Sequence, residues 1–345
     1  MTRTRIDNIV FELTEACNQC CRFCYNYWRD GSTPLAAPEP ATARKTLRKL
    51  LSQASLGTIS FSGGEPMLMR NVHDLALAAR FGGARVNVLT NGTLLTRDAI
   101  TNFISLGIGA IQIPVLSADA SVHEYLTQLP LSWAKATGAL RNVAEVLPQG
   151  AYAVLVVTAV NASGIPDTLQ LIYDLGVRHV MVNRFNIGGM GLRHSRELIL
   201  DRETLKRSFA DVEAFAASHL DMHFVSGVCT PICLLDPAPY PHIKFTWCST
   251  DFSRRPVTVN YRGDVRFCNH SPFVMGNIFE RPIGDILSDP LTIARYSEIP
   301  DRCRDCAMLK RCNGGCRAAS EQVYGTFGQA DPILAADAPG NADKV

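Results

Sequence analysis

Three cysteines stand at the spacing C-x3-C-x2-C: Cys17, Cys21 and Cys24. Three thiolates occupy one face of a cubane iron–sulfur cluster and leave its fourth iron without a protein ligand. An iron open in that way is a place for chemistry rather than electron storage. A structural zinc loop is the plainer alternative, but zinc asks for a fourth ligand and no histidine stands nearby. Cys20 adjoins Cys21 and must point elsewhere.

Eight more cysteines gather between 229 and 316: Cys229, Cys233, Cys248, Cys268, Cys303, Cys306, Cys312 and Cys316. Clustered cysteines in a chain without a secretory signal read as metal ligands rather than disulfides. Eight thiols equal two complete four-thiolate sites, with zinc again the alternative.

These side chains need a scaffold, and the bulk sequence bounds it. The 345 residues are 47% hydrophobic, enough for a large core and for two domains. A net charge of +2 from 34 basic and 32 acidic residues argues against nucleic-acid binding and against a membrane-surface role. No apolar run reaches the roughly 18–20 residues that span a bilayer. The N-terminus lacks the apolar stretch of a signal peptide, so a cytoplasmic location is expected.

The first part alternates strand and helix patterns. Strands are expected at Asn8–Leu13, Thr58–Phe61, Arg85–Leu89, 109–115, 151–158 and 178–184. Helices are expected at 41–54, 72–82, 96–106, 132–146, 165–175 and around 201–218, with a loop at 30–40. Six βα repeats imply parallel strands with helical crossovers. Polar and glycine-rich motifs fall at strand C-termini, the ligand-binding edge of such folds. They are Gly63-Gly64-Glu65-Pro66, Thr90-Asn91-Gly92-Thr93, Asn161, and Asn183-Arg184-Phe185 with Gly188-Gly189.

The cysteine loop, with Phe23 and Tyr25 around its last cysteine and GGEP one βα unit later, resembles the radical S-adenosylmethionine (SAM) enzymes. Cys248, then Gly263-x4-Cys268, then Cys303-x2-Cys306-x5-Cys312-x3-Cys316 resembles six of the seven signature cysteines of that superfamily's SPASM domain. Ile333 and Leu334 stand where the seventh belongs. The resemblance implies a partial (β/α)6 TIM-like barrel over 1–195, a connecting helical segment at 196–228, a cluster-binding domain at 229–332 and a flexible tail at 333–345. The C-terminal part is expected to build little apolar core and to draw its stability from bound metal.

The resemblance also implies cofactors and roles. The cofactors are SAM, one 4Fe–4S cluster on Cys17, Cys21 and Cys24, and two auxiliary 4Fe–4S clusters. Cys248, Cys268 and Cys316 go to the first auxiliary cluster and Cys303, Cys306 and Cys312 to the second, with Cys229 and Cys233 completing one or both. SAM contacts are expected from Phe23, Tyr25, Gly63, Gly64, Glu65, Pro66, Thr90, Asn91, Gln112, Asn161 and Arg184. Glu65 would pair with the methionyl ammonium, and the glycines would let backbone approach the cofactor. After the fourth strand the chain reads Pro114-Val115-Leu116-Ser117 where relatives carry Ser-Leu-Asp-Gly. Gln112, Ser117 and Asp119 are the possible substitutes.

The implied reaction is removal of a hydrogen atom from a substrate C–H by a 5′-deoxyadenosyl radical, followed by oxidation or crosslinking. His270 is the candidate base, with Glu12 and His123 as alternatives. The substrate is a ribosomally made peptide or a small metabolite such as a sugar. Only seven residues precede the first expected strand, so an N-terminal peptide-recognition module is read as absent. A separate recognition protein would then present the peptide, and a flavodoxin or ferredoxin would donate electrons. A non-catalytic electron-transfer or scaffold protein is the reading from another class. GGEP argues against it, since such a protein needs no site for a cofactor amine.

Overall fold

Along most strands of the first two hundred residues, large apolar side chains alternate with smaller or polar ones, which makes one face a core face. The computed structural model describes residues 3–29, 38–252 and 255–336, so most of the expected loop at 30–40 lies outside the described residues. Its strands are β1 (Thr4–Thr14), β2 (Ala54–Gly63), β3 (Arg85–Leu89), β4 (Ala110–Pro114), β5 (Ala151–Val157) and β6 (His179–Arg184). They run parallel and in sequence order, joined by helices Pro40–Gln53, Val72–Phe81, Arg97–Ser105, Ser132–Val146 and Ile165–Asp174. Phe11, Phe61, Val88, Ile111, Leu155 and Val182 are buried beneath these helices in one apolar core. The opposite face carries Glu12 paired with Ser62, Asn87 paired with Ser60, and Gln112 paired with Leu89. That polar face is the inside of the partial barrel.

One helix is not foreseen. Ala120–Thr127 follows β4, and Asp119 caps it by accepting hydrogen bonds from the Ser121 amide and hydroxyl. Asp119 thereby spends one carboxylate oxygen as a helix cap. Ser117 is also spent locally, its hydroxyl accepting the Asp119 amide. Gln112 alone of the three presents a free side chain on the inner face.

The later chain joins the same sheet instead of forming a separate lobe. β7 (His223–Ser226) and β8 (Ile243–Phe245) extend it beyond β6. On the other edge β9 (Val257–Asn260) pairs in parallel with β1, and β10 (Asp264–Arg266) and β11 (Val274–Asn277) add antiparallel strands. Ladder hydrogen bonds thus tie the cluster-binding region to the barrel.

Two expectations are corrected here. The C-terminal region does bury an apolar core: Phe267 stacks on Tyr296 at 4.0 Å, with Phe327 edge-on to both. The tail is not loose at its start, because Ile333 and Leu334 are buried in a short helix, Ile333–Ala336. The chain positions where the seventh cysteine belongs therefore hold packed apolar side chains.

Arg184 closes the junction. It is fully buried at the end of β6, and its guanidinium donates to the Thr230 hydroxyl, the carbonyls of Phe185 and Cys229, and Asp331. Asp331 in turn accepts from the Cys316 and Ile333 amides. Asp331→Ala leaves the guanidinium buried without its counter-charge, so unfolding stability should fall by about 3–5 kcal/mol. A denaturant titration reads this. A loss below about 1 kcal/mol, the level of an exposed pair, would mean that water reaches the guanidinium.

Candidate active site

Leaving β1 at Thr14, the chain turns into the cysteine loop with its backbone held from below. The Gly64 amide donates to the Thr14 carbonyl and the Glu65 amide to the Ala16 carbonyl, both at 2.8 Å. A Cβ on Gly64 would lie 2.0 Å from the Ala16 oxygen, so only glycine lets the two segments meet. The close approach that GGEP permits in this structure is to the cysteine loop itself.

Glu65 is wholly buried, and both carboxylate oxygens are engaged by the protein. Oε1 accepts from the Met67 amide at 2.9 Å and from the Thr90 hydroxyl at 2.6 Å, and Oε2 accepts the Asn91 amide at 2.7 Å. Burial pushes the carboxyl up and these three donors pull it back. From Asn91 the network returns to the cysteine loop, its amide donating to Asn18 Oδ1 at 2.8 Å while Asn18 donates to Thr93 at 2.8 Å. GGEP and TNGT thus form one frame around Cys17.

Cys17, Cys21 and Cys24 face one another within this frame. Burial pushes Cys17 up to about 11, and Cys21 and Cys24 also rise by burial. Repulsion from neighbouring thiolates adds to all three. Desolvated thiols that repel one another are a donor set that a multi-iron cation satisfies, so the residues fit the cluster. Cys20 is exposed, with Arg29 within 3.6 Å of its sulfur, and among the three it acts on Cys24.

The eight later cysteines divide into two sets. Cys229 lies beside Cys248 and draws it down to about 5, and Cys248 and Cys268 act electrostatically on Cys316. In the second set Cys303 feels Cys312, Cys233 and Cys306. Among the described residues no three His, Cys, Asp or Glu side chains converge as a single ion would need. A cubane does not ask for that, because each thiolate binds its own iron.

Tyr25 and His270 sit between the first three cysteines and the later set. Their rings stack at 3.8 Å, Asn269 donates to the Tyr25 hydroxyl at 2.5 Å, and burial pushes His270 down to about 3. Asn186 lies 3.3 Å from the His270 ring nitrogens and donates to Cys316 Sγ at 3.1 Å. His270 is thus a neutral packing and hydrogen-bonding group between loop and cluster cysteines. His123 is likewise buried and pushed down to about 4, its Nδ1 accepting the Leu116 amide at 3.3 Å. Glu12 differs. It pairs with Arg266 through Oε2, its Oε1 has no protein partner, and burial pushes it up to about 7.

Two of the expected cofactor contacts have their side chains engaged by the protein. Asn161 spends its amide on the Leu116 and Val156 carbonyls and its oxygen on Thr158. The Arg184 donors are taken as described above. Both side chains shape loops, and no polar atom is left over for a ligand. Phe23 packs beside Leu116, Leu126 and Phe185.

Other linking residues escape sequence reasoning because they carry no motif. Gln322 donates to the Tyr25 and His270 carbonyls and accepts the Gly189 amide. Asn26 donates to the Gly63 carbonyl at 3.0 Å.

Comparison with known proteins decides the family. Residues 11–172 match the Radical SAM superfamily, and residues 248–307 match SPASM, an iron–sulfur cluster-binding domain. The chain is a radical SAM enzyme with a SPASM domain. Its relatives include proteins named PqqA peptide cyclase. That of Xanthomonas campestris pv. campestris is 26% identical over 337 residues, 94% of this chain and 86% of the relative. That of Gluconobacter oxydans is 27% identical over 340 residues, 94% of this chain and 89% of the relative. Streptococcus suis SuiB bound to S-adenosylmethionine superimposes with a TM-score of 0.71 at 16% identity, over 96% of this chain and 77% of that one. The enzyme anSMEcpe with bound AdoMet gives 0.69 at 13% identity, over 96% and 91%. At such identity the two structures establish the fold. As a radical SAM/SPASM enzyme, the protein uses SAM, a 4Fe–4S cluster and auxiliary iron–sulfur clusters.

Glu65→Ala removes the acceptor shared by Met67, Thr90 and Asn91 and should loosen the frame. The loss of one such charged acceptor is worth roughly 1.5–3 kcal/mol, so SAM affinity should drop at least tenfold. Equilibrium titration of SAM into the reconstituted variant checks this, and an unchanged dissociation constant contradicts it.

Proposed function

We propose that the protein modifies a ribosomally made peptide, by hydrogen abstraction followed by oxidation or crosslinking. The carrying observation is the relationship over 94% of the chain to proteins named PqqA peptide cyclase. The inner face supports it, because Ser62 and Gln112, opposite Glu12 and Leu89 near the strand ends that lead to the cysteine loop, are polar groups that suit a peptide backbone. Among the described residues no helix is long and apolar enough to cross a membrane.

SAM, reduced at the cluster, supplies a 5′-deoxyadenosyl radical that takes a hydrogen atom from an unactivated C–H. The protein's part is to hold, orient and exclude. Cys17, Cys21 and Cys24 hold the cluster, and Glu65 and Asn91 fix the loops around SAM. Gln112 contributes a free carboxamide beside Asn87 and Leu89. The stacked Tyr25–His270 pair and Asn186 fill the space toward Cys316 and keep water out. For a proton leaving with the second electron, Glu12 is the best-placed acceptor. It faces inward, and its Oε1 is free. Clusters held by the cysteines at 229–316 would accept that electron, a flavodoxin or ferredoxin would supply the first one, and a separate recognition protein would present the peptide.

Changing Cys17, Cys21 and Cys24 together to Ala should abolish 5′-deoxyadenosine formation and leave the auxiliary iron in place, whereas Cys20→Ala keeps activity. Anaerobic assays with iron analysis read both. The substrate class is tested by incubating the reduced enzyme with SAM and a short peptide encoded beside its gene. A peptide lighter by two hydrogens supports the proposal. Turnover of a small metabolite, with the peptide unchanged, overturns it.

A further inference from the structure

We propose that Cys233 supplies the fourth thiolate of the second auxiliary cluster, replacing the cysteine this chain lacks after Asp331, and that Cys229 closes the first. The proposal rests on the SPASM assignment and deepens it.

The two cysteines share one turn but face different neighbours. The Pro231 carbonyl accepts the Leu234 and Leu235 amides at 2.9 and 3.0 Å, closing the chain over residues 231–235. Both ends are pinned from outside. Arg184 donates to the Cys229 carbonyl at 2.9 Å, and Arg202 donates to the Cys233 carbonyl at 2.8 Å. The middle of the turn rests on the later cysteines, where the Ile232 amide donates to Cys312 Sγ at 3.4 Å. A Cβ on Gly315 would lie 2.6 Å from Pro231 Cγ, so the turn packs tightly on the segment that carries Cys312 and Cys316.

This placement sorts the thiols. Cys229 neighbours Cys248 and Cys316, and Cys268 also neighbours Cys248. Cys233 neighbours Cys312, and Cys303 neighbours Cys312, Cys233 and Cys306. The result is two sets of four, with Cys229 in one and Cys233 in the other.

The other candidate ligands are used elsewhere. Asp331 stands at the chain position nearest the missing cysteine, but its carboxylate is divided among Arg184 and the Cys316 and Ile333 amides. That places it with the first set. His270 is stacked on Tyr25 and reaches Cys316 through Asn186. Residues 333 and 334 turn their apolar side chains into the core. Among the described residues, only the turn at 229–235 brings a spare thiol to Cys303, Cys306 and Cys312. Both auxiliary clusters are then closed by four thiolates, which suits them to electron transfer and leaves no iron for substrate.

The test is anaerobic reconstitution of the whole protein, with iron and sulfide analysis and electron paramagnetic resonance. The parent should hold about twelve irons, as three four-iron clusters. Cys233→Ala should lose up to about four of these, or show a three-iron signal, with the other two clusters intact. Cys303→Ala should remove the same signal, and the Cys233/Cys303 double variant should lose no more than Cys303→Ala. Cys229→Ala should disturb a different signal, with an additive loss when combined with Cys233→Ala. If Cys233→Ala disturbs every cluster, Cys233→Ser decides, because it keeps a ligand atom of another element. A shifted second-cluster signal supports the proposal, and an unshifted one overturns it. Full iron and parental signals in Cys233→Ala also overturn it. Zinc on the C-terminal cysteines of the parent, with about four irons, would sink the SPASM cluster reading itself and is distinct from these outcomes.

Discussion

The site depends on one steric constraint, the contact between the glycines of GGEP and the backbone of the cysteine loop. Gly64 has room for a hydrogen and nothing larger against the Ala16 carbonyl. Because the two segments touch, the strand ends of β1 and β2 are locked in register by the Gly64 and Glu65 amides. Glu65 then carries that register across to β3 through Thr90 and Asn91. A buried carboxylate is costly unless its oxygens are satisfied, and here three donors satisfy them. The same loop meets a second close contact from above, where a Cβ on Gly189 would lie 2.3 Å from the Asn26 carbonyl oxygen. The cysteine loop is held between two glycine turns.

Buried charges make the second framework. Arg184 with Asp331 and Arg266 with Glu12 each join a barrel strand to the cluster-binding region. Such pairs roughly break even against apolar packing, but a mispaired state leaves a bare charge in the core. Their effect is therefore to specify one docking arrangement. Gln322 adds a neutral version of the same device, with its carboxamide read by three backbone groups from three loops. The cluster-binding region is also continuous with the barrel through the β9–β1 pairing, so its cysteines keep a fixed position relative to the cysteine loop.

Much of this was legible in the sequence. The parallel strands and their helices follow from periodicity, and observed ends such as Arg85–Leu89 and Ser132–Val146 coincide with those expected. The cysteine loop, GGEP and TNGT were recognisable because local spacing carries their chemistry. Short-range patterns of this kind survive without knowledge of the fold.

What the sequence could not determine are partnerships between residues far apart in the chain. Arg184 and Asn161 read as free polar groups at strand ends, and only the folded chain shows every donor consumed. Short strands such as β8 and β10 carry too few residues for a periodic signal, and their sheet is set by the neighbours they pair with. The aromatic core around Tyr296 is assembled from side chains up to sixty residues apart, so local composition understated it. The division of eight cysteines into two sets of four is likewise a matter of distance in space. The sequence by itself determined which chemical groups are present and which turns hold them. The tertiary structure decided which groups spend their hydrogen bonds on the protein and which face the interior, because burial makes each polar atom find a partner wherever the fold brings one.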